Sequence, residues 1–168
     1  MTSAPSPRQC FTADLARHRR HAWITHRSIW ALAVYRLGQA LSVAPPYVHR
    51  ALHPAYRVLV LITHILTNIE IGATAQIGPG LAIHHTGAVI NGAVVMGAEC
   101  TLGVGNVIGN RSDERCPVLG DRVRLGAGAQ VLGAVTLGDD VAVGAMSLVI
   151  SDVPSGSTVA GVPARVIS

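Results

Sequence analysis

The sequence predicts a mainly β protein, a parallel β-helix of hexapeptide repeats with a short α-helical N-terminal extension. Three observations lead there. Apolar residues recur every six positions from Ile71 onward. Hydrophobic residues make up 49% of the chain but aromatics only 4%, so the core must be built from aliphatic side chains. Many of the 18 glycines directly follow the periodic aliphatics, where a tightly coiled chain needs its corners.

The hexads set the extent of the domain. The first run is Ile71, Ile77 and Ile83; it resumes one residue out of phase at Ile90, Met96, Leu102 and Ile108. After an eleven-residue step it restarts at Leu119 and passes through Leu125, Val131, Leu137 and Val143 to Val149. A period of six is neither 3.6 nor 2, which excludes an amphipathic helix and an alternating sandwich strand. Each hexad supplies a short strand and a turn with one aliphatic pointing inward, and stacked coils bury the resulting column. Three hexads per coil give about four to five coils over residues 69–168.

The N-terminal part reads differently. Residues 1–25 are polar, Pro-containing and Arg/His-rich, and are expected to be a flexible arm or at most a weak helix. Residues 26–68 hold two helix candidates. Ser28–Leu41 repeats Ile29, Leu32 and Tyr35 at helical spacing. After Pro45 and Pro46, a second helix is expected from Val48 to Leu66 as a buried element, with Leu52, Tyr56, Leu59 and Ile62–Thr63 on its stripe and Asn68 as a stop.

Charge is lopsided. Residues 1–69 contain eight Arg and one acid, Asp14; residues 70–168 contain five Arg and eight acids, and the chain has no Lys. A basic end of this kind suits a membrane surface, an anionic partner or a neighbouring subunit. No nucleic-acid-reading motif accompanies it, so nucleic acid is not the expected partner. Cys10, Cys100 and Cys116 are irregularly spaced, as expected for reduced thiols in a cytoplasmic protein. The N-terminus has no apolar signal segment, and the longest apolar run, Val58–Ile62, is too short for a membrane span.

Four blocks resemble the left-handed β-helix acyltransferases, and within them the serine acetyltransferase branch. They are Ile69-Glu70-Ile71-Gly72-Ala73, Gly80-Leu81-Ala82-Ile83-His84-His85, Leu125-Gly126-Ala127-Gly128-Ala129, and the ending Gly161-Val162-Pro163-Ala164-Arg165. The resemblance implies left-handed coiling, a homotrimer with sites between adjacent prisms, and acetyl-CoA as acyl donor to the hydroxyl of a small acceptor.

Acyl transfer to a hydroxyl needs a base, and histidine suits that task near neutral pH. His84 and His85 sit where the hexad register slips from six to seven, and such a slip re-aims side chains. The family pattern Ile-x-His selects His85, whereas counting back from Val89-Ile90-Asn91 selects His84; His85 is preferred. Glu70, 15 residues before His85, is the carboxylate expected to orient it, where the family has Asp. In the loop that makes the eleven-residue step, Asn110–Pro117, Arg111, Arg115 and Cys116 are the candidates for acceptor contact, Arg115 by a forked bond to a carboxylate. The family has Arg-His-Pro where this chain has Arg115-Cys116-Pro117, and Asp where it has His84. Both changes touch the acceptor site, so acetylation is better supported than serine as the acceptor.

For the donor, Gly126, Ala127, Gly128, Ala129, Gly144 and Ala145 present small residues along a groove, and Arg165 is the candidate for a CoA phosphate. Arg122 and Arg124 are weaker candidates. No metal is expected, because the adjacent His pair lacks further ligands. The alternatives are an acetyltransferase acting on a sugar, a polysaccharide precursor or a small natural product, or a non-catalytic β-helix scaffold.

Overall fold

A computed structural model describes residues 5–17, 27–111 and 115–168. Among them, helix α1 (Pro7–Ala16) is followed by α2 (Ser28–Ser42) and α3 (Pro46–Thr67). Fifteen short strands then run from β1 (Glu70–Ile71) to β15 (Ala164–Val166). Nearly all pair in parallel with the strand one coil away, so the chain winds into a prism with three flat faces.

Face one contains β1, β4 (Val89–Ile90), β7 (Val107–Gly109), β10 (Gln130–Leu132) and β13 (Leu148–Val149). Face two contains β2 (Gln76–Ile77), β5 (Val95–Met96), β8 (Val118–Leu119) and β11 (Thr136–Leu137). Face three contains β3 (Ala82–Ile83), β6 (Thr101–Leu102), β9 (Arg124–Leu125), β12 (Ala142–Val143), β14 (Thr158–Gly161) and β15. The last pair, β14 and β15, is antiparallel and closes the C-terminal end as a hairpin.

The hexad positions form the inner columns. Ile90, Ile108, Val131 and Val149 stack behind face one, Ile77, Met96, Leu119 and Leu137 behind face two, and Ile83, Leu102, Leu125 and Val143 behind face three. All twelve are buried; Ile71, in the first coil, is half-buried. The second inward slot, just before each strand, takes smaller groups such as Ala75, Ala88, Cys100, Asn106, Ala129 and Ser147. The glycine after an inward aliphatic is a requirement of coil spacing. A Cβ on Gly126 would stand 2.6 Å from the amide nitrogen of Ala145 in the next coil, a separation that strands about 4.8 Å apart cannot relieve.

Residues 7–16, read from the sequence as part of a flexible arm or at most a weak helix, form the well-capped α1; residues 1–4 and 18–25 of that arm lie outside the described residues. Ser6 and Gln9 make a capping box, with the Ser6 hydroxyl accepting from the Gln9 amide at 3.3 Å and the Gln9 side chain accepting from the Ser6 amide at 2.8 Å. The helix buries Asp14, which bonds the Arg36 guanidinium at 2.8 and 3.2 Å. That pair also binds backbone of the first coil. Asp14 accepts from the Leu81 amide at 2.8 Å, and Arg36 donates to the carbonyls of Ile77 and Gly78 at 2.8 and 2.7 Å. Arg17 adds bonds to the carbonyls of Gly80 and Glu99 and to the Thr101 hydroxyl.

Helix α2 buries Ile29, Leu32 and Tyr35; Leu32 and Tyr35 join the core of the coils, and the Tyr35 hydroxyl donates to the Ala75 carbonyl at 2.7 Å. Burial pushes that phenol up to about 12. Helix α3 ends where expected: Asn68 is left-handed, with φ 51°, and its amide donates to the His64 carbonyl at 2.7 Å. The expectation of a buried stripe on α3 is borne out only in part. Tyr56 and Thr63 pack inward, but Leu52, Leu59 and Ile62 are exposed: the side that meets α2 centres on Tyr56, Val60, Thr63 and Thr67, Leu52 and Leu59 fall at its border, and Ile62 is turned well away from it.

Two outcomes follow from this packing. Asp14→Ala strands a buried guanidinium and should cost about 3–5 kcal/mol in urea unfolding at fixed protein concentration; the exposed Arg122–Asp140 pair should tolerate Arg122→Ala with almost no change. Burial pushes the Cys100 thiol up to about 11. A disulfide reagent near pH 8 should therefore modify half-buried Cys116 in the folded protein, leaving Cys10 and Cys100 protected until denaturant is added.

Candidate active site

Four corners stack along the edge between faces three and one. They are residues 84–88, 103–106, 126–129 and 144–147, each joining a strand of face three to the next strand of face one. The three later corners take four residues and the first takes five, which is the register slip seen in the sequence. Each corner turns on a left-handed residue: Gly87 at φ 83°, Gly105 at 70°, Gly128 at 69° and Met146 at 55°. The first corner adds a second such residue, His85, at φ 75°. A side chain held there costs on the order of 1 kcal/mol. The extra residue thus forms a local bulge, and both His84 and His85 are exposed on it.

The His84 amide donates to the Leu102 carbonyl at 2.8 Å, so the pair starts from the regular ladder. Glu70 begins β1, exposed on face one. Its amide donates to the carbonyl of Ala88, three residues past His85, at 2.8 Å, and Glu70 is in register with Val89. The carboxylate and the histidine corner therefore share one end of the edge. Among the described residues no ion pair joins Glu70 and His85.

Below the histidines the edge is lined by small residues. Ala127 and Ala145 are exposed, Gly126, Gly128 and Gly144 half-exposed. Ala129 is buried, its carbonyl engaged by Val107 and by the Asn106 side chain. Gly126 answers to coil spacing and Gly128 to a positive φ, and the same choices leave the backbone of this edge uncovered. Arg165 sits on β15 opposite Ala160, whose Cβ lies against Gly144, so it flanks the far end of the edge. Arg122 is held by Asp140 at 2.8 Å on a different corner, and Arg124 projects from face three.

Arg111, Arg115 and Cys116 are placed elsewhere. Their loop leaves between β7 and β8, at the edge between faces one and two. Arg111 and Arg115 border a hollow of about 230 Å³ there, with Leu132, Gly133, Val135 and Ile150. Cys116 packs against the core. One chain thus separates the histidine edge from the loop edge by the width of face one.

Two features escaped the sequence reading. Arg36 and Asp14 clamp the turn before β3, the strand that leads into His84. Asn106 is fully buried beneath the edge and donates to the carbonyls of Gly126 and Ala129 at 2.7 and 3.0 Å, while its own carbonyl oxygen has no partner. Its position in the small inward slot was the available signal. Among the described residues no group of three or more His, Cys, Asp or Glu could hold a metal.

This edge can therefore present an imidazole, a nearby carboxylate and a strip of bare backbone to one extended ligand. No protein-family model matches the chain. The serine acetyltransferase of Helicobacter pylori (strain J99) is 39% identical over 157 residues, covering 91% of this chain and 88% of that one. The WcaB protein of Escherichia coli (strain K12), named as a colanic acid biosynthesis acetyltransferase, is 46% identical over 109 residues, 63% of this chain and 67% of its own. The soybean serine acetyltransferase apoenzyme superposes with a TM-score of 0.84 at 28% identity, covering 98% of this chain and 70% of that structure. With a relative this similar over most of both chains, the protein belongs to the serine acetyltransferase family of hexapeptide-repeat acyltransferases.

Proposed function

We propose that the chain transfers the acetyl group of acetyl-CoA to a hydroxyl of a small acceptor in the cytoplasm, with His85 as base and Glu70 as its orienting carboxylate. The observation that carries this reading is the five-residue first corner, which exposes His85 on the same edge as the bare backbone of residues 126–128 and 144–145. His85 takes the acceptor hydroxyl proton as the oxygen attacks the thioester carbonyl. The tetrahedral intermediate collapses with loss of the C–S bond, and His85 returns the proton to the departing thiolate. The products are an acetyl ester and CoA with a free thiol. Glu70 steadies the imidazolium formed between the two proton transfers. The pantetheine arm lies over the stacked corners, and Arg165 meets a phosphate at the far end.

The separation of the two edges bears on assembly. An acceptor that touches both His85 and the loop residues Arg111, Arg115 and Cys116 has to lie between two chains. A closed homotrimer, with the histidine edge of each subunit against the loop edge of the next, supplies three such clefts.

Relatives named for serine and for colanic acid biosynthesis frame the acceptor. Cys116 and His84 stand where the serine-specific pattern has His and Asp, and this favours a sugar or polysaccharide-precursor hydroxyl as the second reading. Thiol release from acetyl-CoA over L-serine, homoserine and acetylatable sugars separates the two.

His85→Ala should lower kcat by about 10²–10⁴ with unfolding and assembly unchanged, while His84→Ala retains turnover. Activity in His85→Ala near that of the parent, together with loss in His84→Ala, would move the base to His84. Glu70→Gln should lose more activity than Glu70→Asp, which restores the family's own carboxylate.

A further inference from the structure

Helix α3 packs on α2 through Tyr56, Val60, Thr63 and Thr67, residues that follow one another at helical spacing. Its other side faces outward and is aliphatic. Val58 is 57% exposed, Leu61 58%, Ile62 47%, Ile65 71% and Leu66 47%. The arrangement inverts the usual one, since hydroxyls face the neighbouring helix and the aliphatics face outward. A contiguous patch of this kind marks an interaction surface.

The charges around it narrow the occupant. Arg50 and Arg57 are exposed, and with Leu61 they recur at seven and four residues, so they line one border of the stripe. Residues 15–69 contain no Asp or Glu, and the one acid before them, Asp14, is buried against Arg36. Arg27 donates to the Leu66 carbonyl and brings the first turn of α2, with Trp30 44% exposed, to the end of the stripe. A second copy laid face to face on it about a two-fold axis would match aliphatic with aliphatic but bring arginines together with no carboxylate to answer them. An anionic lipid leaflet satisfies both: acyl chains take the aliphatics, and phosphates take the guanidinium groups. No helix among the described residues is long and apolar enough to cross a membrane, which agrees with a helix that lies on the surface.

We infer that the outward face of α3 docks the enzyme on an anionic membrane surface, with Leu61, Ile62 and Ile65 inserted and Arg50 and Arg57 at the phosphates. The test is flotation of the purified full-length protein with vesicles of phosphatidylglycerol in phosphatidylcholine, against phosphatidylcholine alone. The parent should float with the anionic vesicles, less so as salt rises. Joint Arg50→Ala and Arg57→Ala should weaken partitioning by about thirtyfold. Joint Leu61→Glu and Ile65→Glu should abolish it, with acetyl-CoA turnover in solution unchanged in both variants. Absence of flotation, or flotation that ignores lipid charge and salt, overturns the inference. So does sedimentation showing that the parent associates through this face and that Leu61→Glu with Ile65→Glu dissolves the assembly.

Discussion

Everything in this molecule depends on coil stacking, in which each short strand pairs with the strand one turn away and sets one aliphatic on the inner column. A single coil buries almost nothing by itself. Its stability is a property of neighbours, as in any linear repeat, and a defect in one coil is felt mainly by the coils beside it. The constraint also decides the corners. Where Gly126 passes Ala145 there is no room for a Cβ, so the sequence alternates aliphatic and glycine for reasons of spacing before any reasons of chemistry.

That rigidity gives the site its character. Three of the four stacked corners on the histidine edge are interchangeable four-residue turns; the fourth carries one residue more. In a regular lattice one inserted residue cannot be absorbed along the strands, whose partners are fixed, and it is expelled locally as a left-handed His85. The ends of the insertion remain pinned, by the His84 amide to Leu102 and by the Ala88 carbonyl to Glu70. Helices α1 and α2 reinforce the approach to this corner from the other side through the buried Asp14–Arg36 pair. The fold thus supplies a stiff frame, and the departure from its period supplies the exposed group.

Much of this was legible in the sequence because the period is short and local. Each hexad position is read from its immediate neighbours, and the slip at His84–His85 and the step after Gly109 appear as simple miscounts. Helix α1 was not legible for the opposite reason. Its residues carry no apolar stripe, and it is held by long-range bonds, Asp14 to Leu81 and Arg17 to Gly80; only the Ser6–Gln9 capping box marked it locally. The stripe of α3 was half legible, because period shows that a face exists without showing how much of it a neighbour covers: Tyr56 and Thr63 turn inward as read, whereas Leu52, Leu59 and Ile62 are exposed. Thr63 and Thr67 took the buried side. The candidate site was half legible: its histidines and small residues could be found, but the placement of Arg111 and Arg115 on another edge required the faces to be assigned.

The central claim is that the chemistry lies on the edge between faces three and one. A crystal structure with bound CoA tests it most directly. The account predicts the thiol sulfur beside His85 and the pantetheine arm running past residues 103–105, Ala127 and Ala145 toward Arg165. CoA bound away from that edge, with the histidine corner untouched, would contradict it.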